Sequence, residues 1–132
     1  MNFEEHAGKP LLKAAGIPVP NGGVATTADQ AADIAAPLGK VAVKAQVPTG
    51  KRGKAGGIKI ADDAAAAKAA AQAILGMTIG EHVVEKVLVE QATAFTREFY
   101  AAVINDPETK GPKILFSTLG GMDVEEAAEQ DP

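Results

Sequence analysis

Residues 44–60 read KAQVPTGKRGKAGGIKI, and this stretch differs sharply from the rest of the chain in charge and in glycine content. It contains no acidic side chain, whereas the whole chain carries a formal net charge of -4. Its cationic side chains are Lys44, Lys51, Arg52, Lys54 and Lys59. Glycine lets the backbone approach a ligand closely, and backbone amides together with cations form an anion-binding concavity. The stretch therefore predicts an anion site.

The position of this glycine-rich loop between two β-like runs decides which kind of phosphate site it can be. A P-loop ends in Gly-Lys-Ser/Thr at a helix, but here Gly53 and Lys54 are followed by Ala55 and a β-like run. A glycine-rich loop between two strands covers phosphates as a flap, in which Arg52 can bind phosphate oxygens bidentately. Such a segment is also often a solvated hairpin loop, and composition alone leaves that alternative open.

Length and composition suit one compact domain over residues 1–132, with 46% hydrophobic residues and a core of aliphatic and alanine side chains. The absence of cysteine excludes disulfides and thiolate metal sites. No apolar run is long enough to span a membrane, and residues 1–13 lack a signal-peptide pattern, so we expect a cytoplasmic protein without a membrane partner. The acidic charge balance argues against broad nucleic-acid binding.

Helix signals precede the basic loop. A helix is predicted to start near Pro10, because proline suits a first helical position, and to end at Gly16. A second helix over 28–36 follows a capping box formed by Thr27 and Gln30.

Strand signals dominate the remainder. Apolar residues occupy the odd positions of 41–47, which predicts a strand with Lys44 on the polar face. A short strand at 58–60 then leads to an alanine-rich helix, capped by Asp62 or Asp63 and ending at Leu75. Further strands are predicted at 84–90, 97–104 and 113–118, and a helix at 123–129. The pattern predicts an α/β (α+β) fold with helices packed on a mixed, largely antiparallel sheet. The last helical pattern lacks an end signal, so we expect a fragment of a longer protein.

Glu90, Thr93 and Glu98 follow the loop in the chain. A nucleotide needs acceptors for its ribose hydroxyls as well as donors for its phosphates; the two carboxylates could supply acceptors, and Thr93 could donate. Solvent-facing positions of an edge strand are the alternative explanation. His6 and His82 have no neighbouring ligand at metal spacing, and no serine lies in a nucleophile motif, so we assign no catalytic and no metal-binding residue.

Several motifs occur in the same order as in a known family. They are MNF (1–3), GIPVP (16–20), VKAQV (43–47), KRGKAGG (51–57), LVEQAT (88–93), REFY (97–100) and STLGGMDVEE (117–126). Together they resemble the ATP-grasp region of the beta subunits of succinyl-CoA synthetase (succinate-CoA ligase) and of related NDP-forming acyl-CoA synthetases. The resemblance spans nearly the whole chain. It identifies the class better than the acid, because malate and citrate ligases share these features.

The resemblance implies roles for individual residues. It places Lys44 at the nucleotide phosphates. It assigns the flap to Lys51, Arg52 and Gly53. The base and ribose side is assigned to Glu90, Thr93 and Glu98. The implied reaction converts a carboxylic acid such as succinate, CoA and ATP or GTP into acyl-CoA, NDP and phosphate. A partner alpha subunit carries the CoA site and the phosphohistidine that relays the phosphate. The Mg²⁺ ligands are expected beyond this chain, which would be inactive alone.

Three positions depart from the family pattern. Lys51 stands where glycine is frequent and would stiffen the flap, Leu119 replaces a glutamate, and Pro10 interrupts the first helix. Pro20, near the expected base site, favours ATP over GTP. The alternative function is a polyanion- or RNA-binding module that uses the basic loop, although aromatic residues for base stacking are scarce at 4%. A stable fragment without a ligand of its own is the third possibility.

Overall fold

A computed structural model of the chain describes residues 3–118 and 120. The chain divides into two compact units, Met1–Thr93 and Ala94–Pro132, which are described separately. The first unit contains, in chain order, α1 (Glu5–Ala14), β1 (Gly22–Ala25), α2 (Ala28–Ala35), β2 (Val41–Ala45), β3 (Ile58–Ala61), α3 (Ala64–Ile74), β4 (Thr78–Ile79), β5 (His82–Val83) and β6 (Val87–Gln91). The second unit contains β7 (Tyr100–Asp106) and β8 (Gly111–Ser117). No helix among the described residues is long and apolar enough to cross a membrane.

Four strands of the first unit form a sheet in the order β1-β6-β2-β3, in which every neighbouring pair is antiparallel. Within β2, Val41 and Val43 are fully buried on one face. Because successive side chains of a strand point to opposite faces, Lys44 lies on the other face, as predicted. We call that other face the open face, and it carries Ala42, Lys44, Ile58, Ile60, Leu88 and Glu90.

Helices α2 and α3 cover the opposite face and pack against each other. Their buried residues are Ala31 and Ala35 in α2, and Ala67, Ala70, Ala71 and Ile74 in α3. Alanine side chains let the two helices approach the sheet closely, so a small core forms with little aromatic volume. The predicted alanine-rich helix is therefore confirmed.

The predicted caps of α2 and α3 are also present. Thr27 accepts a hydrogen bond from the backbone N–H of Gln30 at 3.2 Å. The Gln30 side chain reaches back to the backbone N–H of Thr26 at 2.9 Å. Of the two candidate aspartates before α3, Asp63 is the cap, because its Oδ1 accepts from the N–H of Ala66 at 2.8 Å. Each bond satisfies a backbone donor that a helix start leaves unpaired.

Helix α1 contradicts the predicted start near Pro10, because it begins at Glu5 and contains Pro10 in its interior. Proline removes the N–H that would bond to the carbonyl of His6, one turn earlier. None of the residues of α1 is buried, so water can solvate that carbonyl. Side-chain contacts of Glu5 and Lys9 with the sheet hold the N-terminal half in place. The predicted end at Gly16 is confirmed, with a φ of 81° that favours glycine.

Strand boundaries differ from the sequence pattern in several places. The pattern does not predict β1, β4 or β5, and the predicted strand at 84–90 starts too early, because β6 begins at Val87. Val84 instead bonds through its N–H to the carbonyl of Met77 at 2.9 Å, next to the β4–β5 pair. The predicted strand at 41–47 ends at Ala45, although Val47 stays buried. Tertiary pairing partners, which a local pattern does not contain, decide these boundaries.

The second unit is described by its antiparallel hairpin of β7 and β8. β7 starts three residues and ends two residues later than the predicted 97–104, and β8 starts two residues and ends one residue earlier than the predicted 113–118. The rings of Phe99 and Phe116 stack with centroids 5.8 Å apart. The predicted helix at 123–129 lies outside the described residues, and one domain over 1–132 stays a prediction.

Candidate functional site

The glycine-rich loop, residues 46–57, joins β2 to β3 and folds back onto β2. The N–H of Gly57 donates to the carbonyl of Arg52 at 2.8 Å, and the N–H of Ala45 donates to the carbonyl of Gly57 at 2.7 Å. Gly57 is buried, and a Cβ there would lie 2.7 Å from Cδ1 of Ile79. A side chain at this position would require Ile79 or the loop to shift, so this glycine of the KRGKAGG motif has a packing role.

Arg52 connects the loop to the sheet and to helix α1. Its Nη1 donates to the carbonyl of Ala45 at 2.8 Å, and its Nη2 donates to Oε2 of Glu5 at 3.0 Å. The side chain is 21% exposed, so part of the guanidinium is accessible to a ligand. The preceding Lys51 has a φ of 61°, a backbone conformation that costs a residue with a Cβ about 1 to 2 kcal/mol. This conformation is a physical reason for the glycine that the family resemblance implies at position 51.

Three cations and two carboxylates meet on the open face, and we call them the charge cluster: Glu5, Lys9, Lys44, Arg52 and Glu90. The Nζ of Lys44 donates to Oε1 of Glu5 at 3.0 Å and also to Oε1 of Glu90. The Nζ of Lys9 donates to Oε2 of Glu90, whose side chain is only 5% exposed. The surplus of one cation leaves a net positive charge, which suits an anionic ligand.

The ion pairs of the charge cluster shift the pKa values of two members. Burial would raise the pKa of Glu5, but the charges and hydrogen bonds of Lys44 and Arg52 outweigh burial and hold it below its ordinary value. Burial would lower the pKa of Lys44, but the hydrogen bond to Glu90 and the charge of Glu5 raise it above its ordinary value. Both groups are therefore charged near neutral pH.

A pocket of about 410 Å³ lies beside the charge cluster in the first unit. Lys9 and Glu90 belong both to the cluster and to the pocket wall, and Pro20 and Leu88 add apolar surface. The other lining residues are His6, Pro10, Lys13, Val19, Asn21, Gly22, Gly23 and Val24. An apolar cleft with a few convergent polar groups is typical of a small-molecule site.

The structure brings three of the predicted site residues, Lys44, Arg52 and Glu90, into one cluster. Lys51 and Gly53 are exposed in the same loop as Arg52. The donors predicted for phosphate and one predicted acceptor are thus neighbours, although they are far apart in the sequence.

Two predicted residues remain, Thr93 and Glu98. Thr93 is exposed two residues after β6. Glu98 belongs to the second unit, where it is exposed and where a Cβ on Gly120 would collide with it. Roles for Thr93 and Glu98 at the nucleotide stay predictions. Leu119 lies outside the described residues.

Sequence reasoning missed Glu5 and Lys9. The two residues are one helical turn apart, with Lys9 Nζ 3.6 Å from Oε1 of Glu5, and this spacing would have marked a common helix face. The predicted helix start near Pro10 concealed that face. Their partners Lys44 and Glu90 are 39 and 81 residues away in the chain, so no local pattern could identify them.

A glycine-rich loop on an antiparallel sheet, with cations beside a cleft, fits a protein that binds a phosphorylated small molecule. The family model described as ATP-grasp domain matches residues 2–132, and the chain belongs to this family. Among curated relatives, the succinate-CoA ligase [ADP-forming] subunit beta of Gemmatimonas aurantiaca is 50% identical over all of this chain. The succinate-CoA ligase [GDP-forming] subunit beta of Thermus thermophilus is 47% identical, also over all of this chain. The chain spans 35% of the length of each relative.

A solved structure has the same fold. It is the dinucleotide forming acetyl-coenzyme A synthetase 1 of Ca. Korarchaeum cryptofilum, in complex with coenzyme A, acetyl-coenzyme A and a phosphorylated phosphohistidine segment. The similarity covers 94% of this chain and 55% of that chain, with a TM-score of 0.70 and 25% sequence identity.

Proposed function

We propose that this chain is the nucleotide-binding part of an ADP- or GDP-forming acid-CoA ligase whose acid is succinate. The charge cluster carries the proposal, because Lys9, Lys44 and Arg52 converge from a helix, a strand and the glycine-rich loop beside a 410 Å³ pocket. In the proposed complex the phosphates bind the cations, and the base and ribose occupy the pocket. Glu90 lies at the boundary between the two. The names of the curated relatives support the acid and the reaction class.

The hydrogen-bond donors of the cluster fit a polyphosphate. A lysine ammonium has three N–H donors, and Lys44 directs two of them to Glu5 and Glu90. A guanidinium has five, and Arg52 directs two of them to Glu5 and the Ala45 carbonyl. Both side chains are about one-fifth exposed, at 22% and 21%, so their other donors can reach a ligand. Pro20 gives the pocket an apolar wall without a side-chain hydrogen bond, which supports ATP as the nucleotide.

The proposed reaction converts succinate, CoA and NTP into succinyl-CoA, NDP and phosphate, with a phosphohistidine of a partner alpha subunit as the relay. The residues of this chain would bind the nucleotide, orient it and neutralise phosphate charge, which are the main protein contributions to phosphoryl transfer. Among residues 3–118 and 120, no group of three or more His, Cys, Asp or Glu could hold a metal ion. We propose that Mg²⁺ is held by ligands outside these residues together with the nucleotide phosphates.

The experiment that tests this proposal is an amide NMR titration of the ¹⁵N-labelled chain with Mg-ATP, Mg-GTP, adenosine and a short RNA. Mg-ATP should shift the amides of 44–57 and of residues around Pro20 and Glu90. Adenosine should shift only the pocket amides, because it lacks phosphates. Stronger shifts with RNA than with ATP would favour the polyanion-binding function instead, and no shift with either nucleotide would refute the nucleotide site.

Variants separate phosphate binding from base binding. Arg52→Ala should weaken Mg-ATP binding by about 1.5 to 3 kcal/mol, the usual contribution of a hydrogen bond to a charged group, and leave adenosine binding unchanged. Lys40→Ala is the matched control, because Lys40 is an exposed cation of the same unit that pairs with Asp62 at 2.9 Å. Equal losses of both ligands in Arg52→Ala would contradict a role of Arg52 at the phosphates.

A further inference from the structure

Helix α1 is attached to the sheet in an unusual way, because polar contacts replace the buried apolar stripe of a typical surface helix. Leu11 and Leu12 are 62% and 45% exposed. The contacts with the sheet and the loop come from the first turns of the helix, where Glu5, His6 and Lys9 reach β2, β6 and the residues that follow β2. The helix thus presents charges to the open face more than it covers apolar surface.

Within this attachment, each oxygen of Glu5 has a different cationic partner. Oε1 accepts from the Nζ of Lys44 at 3.0 Å, and Oε2 accepts from Nη2 of Arg52, also at 3.0 Å. Lys44 lies in a strand with hydrogen bonds on both sides, whereas Arg52 lies in the loop. One carboxylate therefore sets the spacing between a fixed cation and a cation on a less constrained segment.

We propose that Glu5 is a positioning residue of the phosphate site: its carboxylate ties Arg52 to Lys44 and holds the glycine-rich loop against β2. Long cationic side chains lose considerable rotamer freedom when they bind, and a site that has already ordered them loses less affinity to that entropy. The first part of this proposal, that Glu5 attaches the loop to the sheet, holds whatever the ligand is. The second part, that Glu5 aligns the cations for phosphate, rests on the proposed function.

In a competing role for the same carboxylate, its removal would change the affinity for phosphate in the opposite direction. If Glu5 occupied the place of a phosphate, a nucleotide would have to displace it, and its removal would strengthen binding. Positioning is the better explanation, because the charge cluster keeps a net positive charge with Glu5 in place, and Lys44 and Arg52 both have further donors. The direction of the change in affinity therefore separates the two roles.

The test compares Glu5→Gln, Glu5→Asp and a matched control, Glu4→Gln. Glu4 is the preceding carboxylate with nearly the same exposure, 20% against 22%, but it pairs with Lys86 at 2.8 Å. The first readout is amide hydrogen exchange of Gly57, whose N–H bonds to the Arg52 carbonyl. The second is the Kd of inorganic tripolyphosphate, with adenosine as the ligand that should not respond.

Glu5→Gln should raise the exchange rate of the Gly57 amide and the Kd of tripolyphosphate by roughly tenfold each, and it should raise the exchange rate of the Val43 amide of the core strand less. Glu5→Asp should restore part of the Gly57 protection and part of the tripolyphosphate affinity, because the carboxylate charge is retained. Unchanged Gly57 exchange in Glu5→Gln, equal changes in Glu4→Gln, or tighter tripolyphosphate binding would overturn the proposal. If the wild-type chain binds no tripolyphosphate, the proposed nucleotide site fails, and the exchange of Gly57 still decides the role of Glu5.

Discussion

Glu90 is a buried carboxylate at the centre of the charge cluster, and its replacement by glutamine tests how far the cluster stabilises the fold. Its two oxygens accept from Lys44 and Lys9, and each such charge-assisted hydrogen bond contributes about 1.5 to 3 kcal/mol. The sum of the two contributions is an upper limit for the stability lost in Glu90→Gln. Both lysines are about one-fifth exposed, at 22% and 19%, and both keep Glu5 as a partner at 3.0 and 3.6 Å. The glutamine oxygen also still accepts one bond.

We therefore expect Glu90→Gln to lower the free energy of unfolding by roughly 2 kcal/mol. Urea unfolding at neutral pH, followed by far-ultraviolet circular dichroism, measures this change at constant m-value. The helices among the described residues all belong to the first unit, which contains Glu90. Glu4→Gln is the control, because its partner Lys86 is 35% exposed and the expected loss is below about 1 kcal/mol. A loss in Glu90→Gln no greater than in the control would refute the energetic argument.

Three further predictions concern pH, the loop and a helix cap. The pKa of Glu5 is lowered from 4.5 and the pKa of Lys44 is raised from 10.5, so the ion pairs of these two groups stabilise the fold fully between these pH values. It should be lost below pH 4.5 as Glu5 protonates and above pH 10.5 as Lys44 deprotonates, and Glu5→Gln should flatten the acid side of a stability–pH curve. Lys51→Gly should stabilise the chain by roughly 0.5 to 1 kcal/mol in urea unfolding, whereas Lys51→Ala should give no gain, because alanine keeps the Cβ that strains the left-handed backbone. Asp63→Ala should cost about 1 kcal/mol, and Asp62→Ala distinctly less, as measured by thermal unfolding, since only Asp63 caps α3.

Much of the local structure could be predicted because its causes are local. The cap at Thr27, the glycine that ends α1 and the alternation around Lys44 each depend on residues within a few positions. The short strands β1, β4 and β5 could not be predicted, because such strands are defined by partners rather than by their own pattern. The predicted start of α1 near Pro10 is wrong because distant partners also decide this helix: ion pairs of Lys9 and Glu5 with the sheet hold the turns before Pro10 in place.

The candidate site shows the same division. The cations and glycines of residues 44–60 are visible in the sequence, and so is the loop between two strands. The carboxylates that form ion pairs with these cations are harder to identify from the sequence. The sequence predicts Glu90 on the ribose side of a nucleotide, and the structure shows in addition that its oxygens accept from Lys44 and Lys9. The sequence pattern does not indicate Glu5 as a site residue, because its contact with Arg52 exists only after α1 has docked.

By itself, the sequence determined the elements that carry the site: the antiparallel strands around a basic flap, the alanine-rich helix behind them, and the motifs of the ATP-grasp domain family. These depend on periodicity, propensity and turn chemistry, which act over a few residues. Only the tertiary structure decided which charges meet. An ion pair depends on the distance between two side chains, and the 39 and 81 residues that separate the partners in the chain disappear when α1 packs on the open face.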